Sequence, residues 1–138
     1  MITIPDRIMR QIHQHGEAAY PEEGAGFLLG VEGEPRRVTA ILFLPNTRED
    51  DARRNRYLIT PGDYLKGELE AGRLGLTLLG VFHSHPDHPN LPSEFDREWA
   101  QPFFSYLITS VNSGQAAASR AWRLAEDRSV FLEETIQP

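Results

Sequence analysis

The chain is organised around Leu79-Gly-Val-Phe-His-Ser-His-Pro-Asp-His-Pro-Asn-Leu-Pro-Ser-Glu-Phe-Asp-Arg-Glu-Trp99. An apolar run from Leu78 to Phe82 leads straight into His83-Ser84-His85-Pro86, and a short apolar run before a turn reads as a buried strand. Side chains two apart on a strand share a face, so His83 and His85 project side by side at its end. Prolines at 86, 89 and 92 mark a loop that delivers Ser93-Glu-Phe-Asp96, the opening of a helix with Asp96 one turn in. Two imidazoles from a strand and one carboxylate from a helix can converge on one divalent cation. Three N/N/O ligands with the fourth position left to water is the pattern of a catalytic zinc site. A structural zinc site more often has four protein ligands, usually including cysteine, and this chain has no cysteine.

Each fragment alone has an ordinary explanation. A histidine is usually a packed or surface side chain, and Ser-x-x-Asp usually a helix N-terminus. The metal reading rests on His83, His85, Ser93 and Asp96 together, in this order, after a buried strand. His88, three residues after His85, is a rival ligand, but it lies in the proline loop, off the strand face.

Composition bounds the rest. The 138 residues suit one domain, taken as 1–138, and a chain this long buries roughly two thirds of its unfolded surface. Hydrophobic residues make up 40% and charged residues 25%, a globular balance. A net charge of −6 lacks the basic footprint of a nucleic-acid binder. The absence of cysteine fits a reducing compartment. No apolar run reaches the roughly 18 residues of a membrane span, and Met1-Ile-Thr-Ile-Pro-Asp-Arg7 is not a secretion signal. A cytoplasmic location is expected.

Residues 5–20 read as a helix with Ile8, Ile12, His15 and Ala19 on one face; His13 and His15 read as ordinary helix residues. A glycine-rich strand follows at 24–31, a turn at 32–35 and a strand at 38–44. The mixed charges of 47–56 suggest a solvated loop, or alternatively a loop at the cleft edge that touches substrate. A short strand is expected at 57–60, then a helix from 61 to about 72 with a stripe of Tyr64, Leu65, Leu69 and Leu74. Strands at 103–111, 118–125 and 129–135 close the chain, the last two as a hairpin through Glu126-Asp127-Arg128. This order makes an α/β fold, a mixed central sheet flanked by helices.

The spacing His83-x-His85, seven residues, Ser93, two residues, Asp96 resembles the JAMM motif of the MPN-domain metalloproteases. That family also uses a glutamate well upstream, at the entry to its first strand. Here Pro21-Glu-Glu-Gly-Ala-Gly-Phe-Leu-Leu-Gly30 is the similar stretch, and it puts Glu23 in that role, with Glu22 the neighbour that could be mistaken for it. The resemblance covers nearly the whole chain and implies a single-domain MPN fold. It implies one zinc ion held by His83, His85 and Asp96, with water as fourth ligand. Glu23 would be general base and then acid. Ser93 would donate to the oxyanion and could also cap the helix that carries Asp96.

The substrate is likewise implied by resemblance. Short bacterial members act on a small ubiquitin-like sulfur-carrier protein, hydrolysing the bond after its C-terminal Gly-Gly and releasing an amino acid, typically cysteine. Ser105-Tyr-Leu-Ile108 and Arg120-Ala-Trp-Arg-Leu124 look like that group. The alternatives are an isopeptidase acting on ubiquitin-like conjugates, a non-catalytic MPN scaffold, and a structural metal site. Eukaryotic deubiquitinating members carry insertions for which this chain has little room. The complete ligand set argues against a scaffold.

Overall fold

The computed structural model describes residues 1–45 and 59–138. In chain order its elements are β1 (Ile2–Thr3), α1 (Asp6–Ala19), β2 (Ala25–Val31), β3 (Arg36–Leu44), α2 (Pro61–Leu74), β4 (Thr77–Pro86), α3 (Glu94–Trp99), β5 (Ser105–Asn112), β6 (Gln115–Leu124), β7 (Phe131–Glu134) and β8 (Ile136–Gln137). The strands form one mixed sheet in the order β7-β6-β5-β4-β2-β3-β1-β8. β4 pairs antiparallel with β2 and parallel with β5, so the strand that carries both histidines is central. β7 and β8 end that order on opposite sides, yet only Thr135 separates them in the chain. The sheet therefore curls until its edges meet at Thr135, whose carbonyl accepts from the Ile2 N–H of β1 at 2.9 Å.

Alternation along the strands feeds two cores. Phe27, Leu29 and Val81 pack with Ala71 of α2 on one face. Leu28, Leu79 and Phe82 pack with Ile8 and Ile12 of α1 on the other. α1 and α2 each approach the sheet through a glycine. A Cβ on Gly16 would lie 3.1 Å from Val111 Cγ2, and one on Gly67 would lie 2.7 Å from the Phe27 ring.

Several expectations are corrected. Ile59 and Thr60 are not a strand; Thr60 is the N-cap of α2, in a reciprocal capping box with Asp63. Tyr57 and Leu58, like the 47–56 charge run, lie outside the described residues. The stripe on α2 is also different. Leu65 and Leu69 are 61% and 65% exposed, Leu74 is exposed too, and the buried positions are Gly67 and Ala71. Close helix–sheet approach selects small residues, so the leucines point outward although they are the more hydrophobic. β5 starts at Ser105, two residues later than expected, and β6 starts at Gln115, three earlier. β1 and β8 were not expected at all; each spans two residues.

Candidate metal centre

β4 carries His83 and His85 on the Val81 face and turns Ser84 to the Phe82 face, under α1. Both histidines are buried. Their Nε2 atoms lie 3.2 Å apart. Asp96 enters from α3. It is the third residue of that helix, and it exchanges capping bonds with Ser93. The Ser93 N–H donates to Asp96 Oδ2 at 2.8 Å, and the Asp96 N–H donates to Ser93 Oγ at 3.1 Å. This box turns the carboxylate back toward β4, where Oδ1 is 3.3 Å from His83 Nε2 and Oδ2 is 3.3 Å from His85 Nε2.

These separations, each histidine facing a different Asp96 oxygen, have the scale of ligand spacings around a small ion. Ligands at about 2.0–2.1 Å from such an ion stand about 3.3–3.4 Å apart, close to the 3.2 and 3.3 Å observed. The tautomer fits as well. His85 Nδ1 lies 2.7 Å from the Pro89 carbonyl, which can only accept, so Nδ1 carries the proton and Nε2 of the neutral ring keeps its lone pair. A backbone carbonyl behind a ligating imidazole is the usual outer support of a metal site.

Burial and the neighbouring groups act on the three side chains in different directions. Burial pushes His83 down, toward the neutral ring, against the pull of Asp96. For His85 burial also acts downward but is outweighed by Asp96, by the Pro89 carbonyl and by Glu23, so the net direction is up. Burial raises Asp96, yet the two imidazoles and the Ser93 N–H hold it well below the usual carboxylate range. Among the described residues, the atoms that His83, His85 and Asp96 offer lie within 4.8 Å of one another.

Glu23 joins them through the β2–β4 register. Ala25 pairs with His83, so two residues back Glu23 comes alongside His85. Gly24 is tied to Ser84 twice: its N–H donates to Ser84 Oγ at 2.9 Å, and its carbonyl accepts from the Ser84 N–H at 2.9 Å. Glu23 is 4% exposed, whereas Glu22 is only half-buried. A cleft of about 420 Å³ is lined by Glu23, His85, Pro86, His88, Pro89, Leu91 and Ser93, a size typical of a small-ligand site.

Ser93 is exposed at the cleft and accepts from the Asp96 N–H, which leaves its hydroxyl proton to donate. His88 lines the cleft but stands outside the donor group. His13 lies away from it, with Nε2 3.0 Å from Ser119 Oγ. His15 stacks on Phe43 at 4.6 Å between ring centroids and meets Phe82 edge-on. Burial lowers the pKa of both His13 and His15. Sequence reasoning missed Ser84, whose hydroxyl holds the Glu23 segment. The only available signal was its parity, which places it opposite the two histidines.

Comparison with known proteins puts the geometry in a family. A model described as prokaryotic homologs of the JAB domain matches residues 5–125. A Thermus thermophilus protein named "Probable TtuB-protein conjugate cleaving protease" is 30% identical over 132 residues, covering 96% of this chain and 82% of its own. The solution structure of a Salinibacter ruber protein is 46% identical with a TM-score of 0.77, covering 100% of this chain and 92% of that one. A Desulfitobacterium hafniense solution structure is 30% identical with a TM-score of 0.84, covering 99% and 91%. Matched along most of its length and folded on the plan of its solved relatives, the chain belongs to the prokaryotic branch of the JAB-domain, JAMM-type metalloprotease family.

Proposed function

We propose that residues 1–138 act as one zinc-dependent metallopeptidase domain. It hydrolyses the bond after the C-terminal Gly-Gly of a small ubiquitin-like sulfur-carrier protein and frees cysteine or another amino acid. The observation that carries this reading is the joint placement of Glu23 and Ser93 in one cleft beside a His83–His85–Asp96 group whose donor atoms cluster at ligand-like distances. A zinc ion there would polarise the scissile carbonyl and lower the pKa of its water from about 16 to about 7. The protein's own residues supply the rest. Glu23 takes the proton of the attacking water and hands it to the leaving amine. Ser93 donates its hydroxyl proton to the oxyanion that develops on the substrate while it accepts from the Asp96 N–H. Pro86, Pro89 and Leu91 make the remaining wall largely apolar and rigid, suited to an extended tail without side chains. The reading includes a cytoplasmic location, where such a carrier would be met.

One observation favours a second reading. The name of the Thermus relative describes cleavage of a protein conjugate, which supports an isopeptidase that removes a ubiquitin-like protein from another protein. The two separate in one experiment. Zinc-loaded protein is incubated with a carrier extended by cysteine after Gly-Gly and with the same carrier joined to a lysine side chain, and products are weighed by mass spectrometry. The first reading expects free cysteine and a Gly-Gly-ended carrier, blocked by a chelator. Faster cleavage of the lysine conjugate would select the isopeptidase. Two intact substrates would rule out both.

A further inference from the structure

We infer that Tyr20 and Asp87 are positioning residues that fix Glu23 over His85, an inference that rests on the peptidase reading above. The Glu23 segment is pinned to the histidine strand on both sides of the glutamate. On its C-terminal side, Gly24 is held by both backbone groups of the Ser84 contact, immediately before His85. On its N-terminal side, the Tyr20 hydroxyl donates to Asp87 Oδ2 at 2.6 Å, two residues after His85. Between them the Glu22 N–H donates to the Ala19 carbonyl at 2.9 Å, so the chain from Tyr20 to Glu23 is a short turn with little slack. Glu23 thus hangs between two anchors that bracket His85.

Asp87 is built as a post rather than a loop residue. Its φ is 58°, the left-handed region that Asp tolerates better than most residues. Its own N–H donates to the Val111 carbonyl at 2.8 Å, and its Oδ1 accepts from the Ser113 N–H at 2.8 Å. Both bonds fix it to the end of β5 and the turn that follows. Its second carboxylate oxygen is spent on Tyr20. Tyr20 and Asp87 belong neither to the donor group nor to the residues that line the cleft, although Asp87 joins Pro86 to His88, which do; their effect is assigned to the placing of Glu23. Misplacing a reacting group by about 1 Å can cost on the order of 10²-fold in rate.

Tyr20→Phe removes one hydroxyl and leaves the rest of the post intact. We expect its kcat on the Gly-Gly-Cys carrier to fall roughly 10- to 100-fold, with KM, zinc content and melting temperature close to the parent. In the metal-free protein, the Gly24 amide should exchange with solvent about tenfold faster than in the parent, while amides along β4 and β5 stay unchanged. Asp87→Asn keeps an acceptor for Ser113, and its amide can donate to the Tyr20 oxygen, so it should keep most of the parent kcat. Asp87→Ala should behave like Tyr20→Phe or worse. A Tyr20→Phe protein with parental kcat and parental Gly24 exchange would overturn the inference. So would losses of zinc and melting temperature in proportion to kcat. If the parent cleaves neither carrier, the peptidase reading fails, and the Gly24 exchange still decides whether the anchor exists.

Discussion

Glu22 and Glu23 differ by one position, and the pairing of β2 with β4 separates their surroundings. Glu23 is buried alongside His85, and Glu22 is half-exposed. Glu23→Gln keeps size and polarity but cannot take the proton, so turnover should drop about 10²–10⁴-fold while zinc and carrier binding persist. Glu22→Gln should be nearly silent. Turnover and zinc content of both variants check this, and a silent Glu23→Gln beside a dead Glu22→Gln would reverse the assignment. Under the proposed function Ser93 has two duties, oxyanion donor and helix cap, that one substitution can separate. Ser93→Ala loses an oxyanion donor, costing about 10²–10³ in kcat, and a helix cap, costing about 1 kcal/mol. Turnover should fall far more than melting temperature. An active but strongly destabilised variant would reduce Ser93 to a cap. The meeting of His83, His85 and Asp96 was legible in the sequence because strand parity aligns His83 with His85 and a capping box sets the direction of Asp96. Tyr20 and Asp87 were not, because their contact joins residues 67 apart with no pattern that links them.

At the scale of elements, α2 shows how hydrophobicity alone misleads. Its leucines at 65 and 69 suggested the buried stripe, but the helix meets Phe27 through Gly67, and Phe27 is fully buried and has no room to give. Gly67→Ala gains up to about 1 kcal/mol of helix propensity but overpacks the contact at a cost of about 1–3 kcal/mol, so a net loss is expected. Gly72, five residues on, has nothing within 4 Å of an added Cβ. Gly72→Ala should therefore stabilise by about 0.5–1 kcal/mol. Urea unfolding of both variants tests the pair, and equal shifts would show that the helix does not approach Phe27 as described. The longer strands were readable from their apolar runs. β1 and β8 were not, because two residues cannot show a period; they exist because the curled sheet brings their backbones together.

At the scale of the molecule, a polar network ties β3, β4, β5, β6 and β7 together. Buried Arg36 donates to the Leu79 carbonyl at 3.2 Å, to Ser105 Oγ at 2.9 Å and to the Phe103 carbonyl at 2.6 Å. Ser105 Oγ donates in turn to Glu134 Oε2 at 2.9 Å, and Arg123 Nε does so at 3.2 Å. Burial raises the Glu134 pKa, but Ser105, the Met1 ammonium and Arg123 outweigh it and the net direction is down. A carboxylate depressed in the folded state stabilises at pH above its unfolded value, and that contribution is lost as pH falls through the folded value. Glu134→Gln should lower stability at neutral pH and flatten its decline below about pH 4.3, the ordinary glutamate value. Melting curves from neutral to acid pH would contradict this if the two proteins declined in parallel.

The curled sheet, its two cores and the polar network together hold β4 and α3 so that two imidazoles and one carboxylate meet. The most direct test of the account is zinc content measured alongside hydrolysis of the Gly-Gly-Cys carrier, in the parent and in His83→Ala. The parent should bind one zinc ion per chain and turn over, lose both to a chelator, and recover both when zinc is returned; His83→Ala should fold, bind little zinc and release no cysteine. A His83→Ala protein with stoichiometric zinc and parental turnover would contradict it.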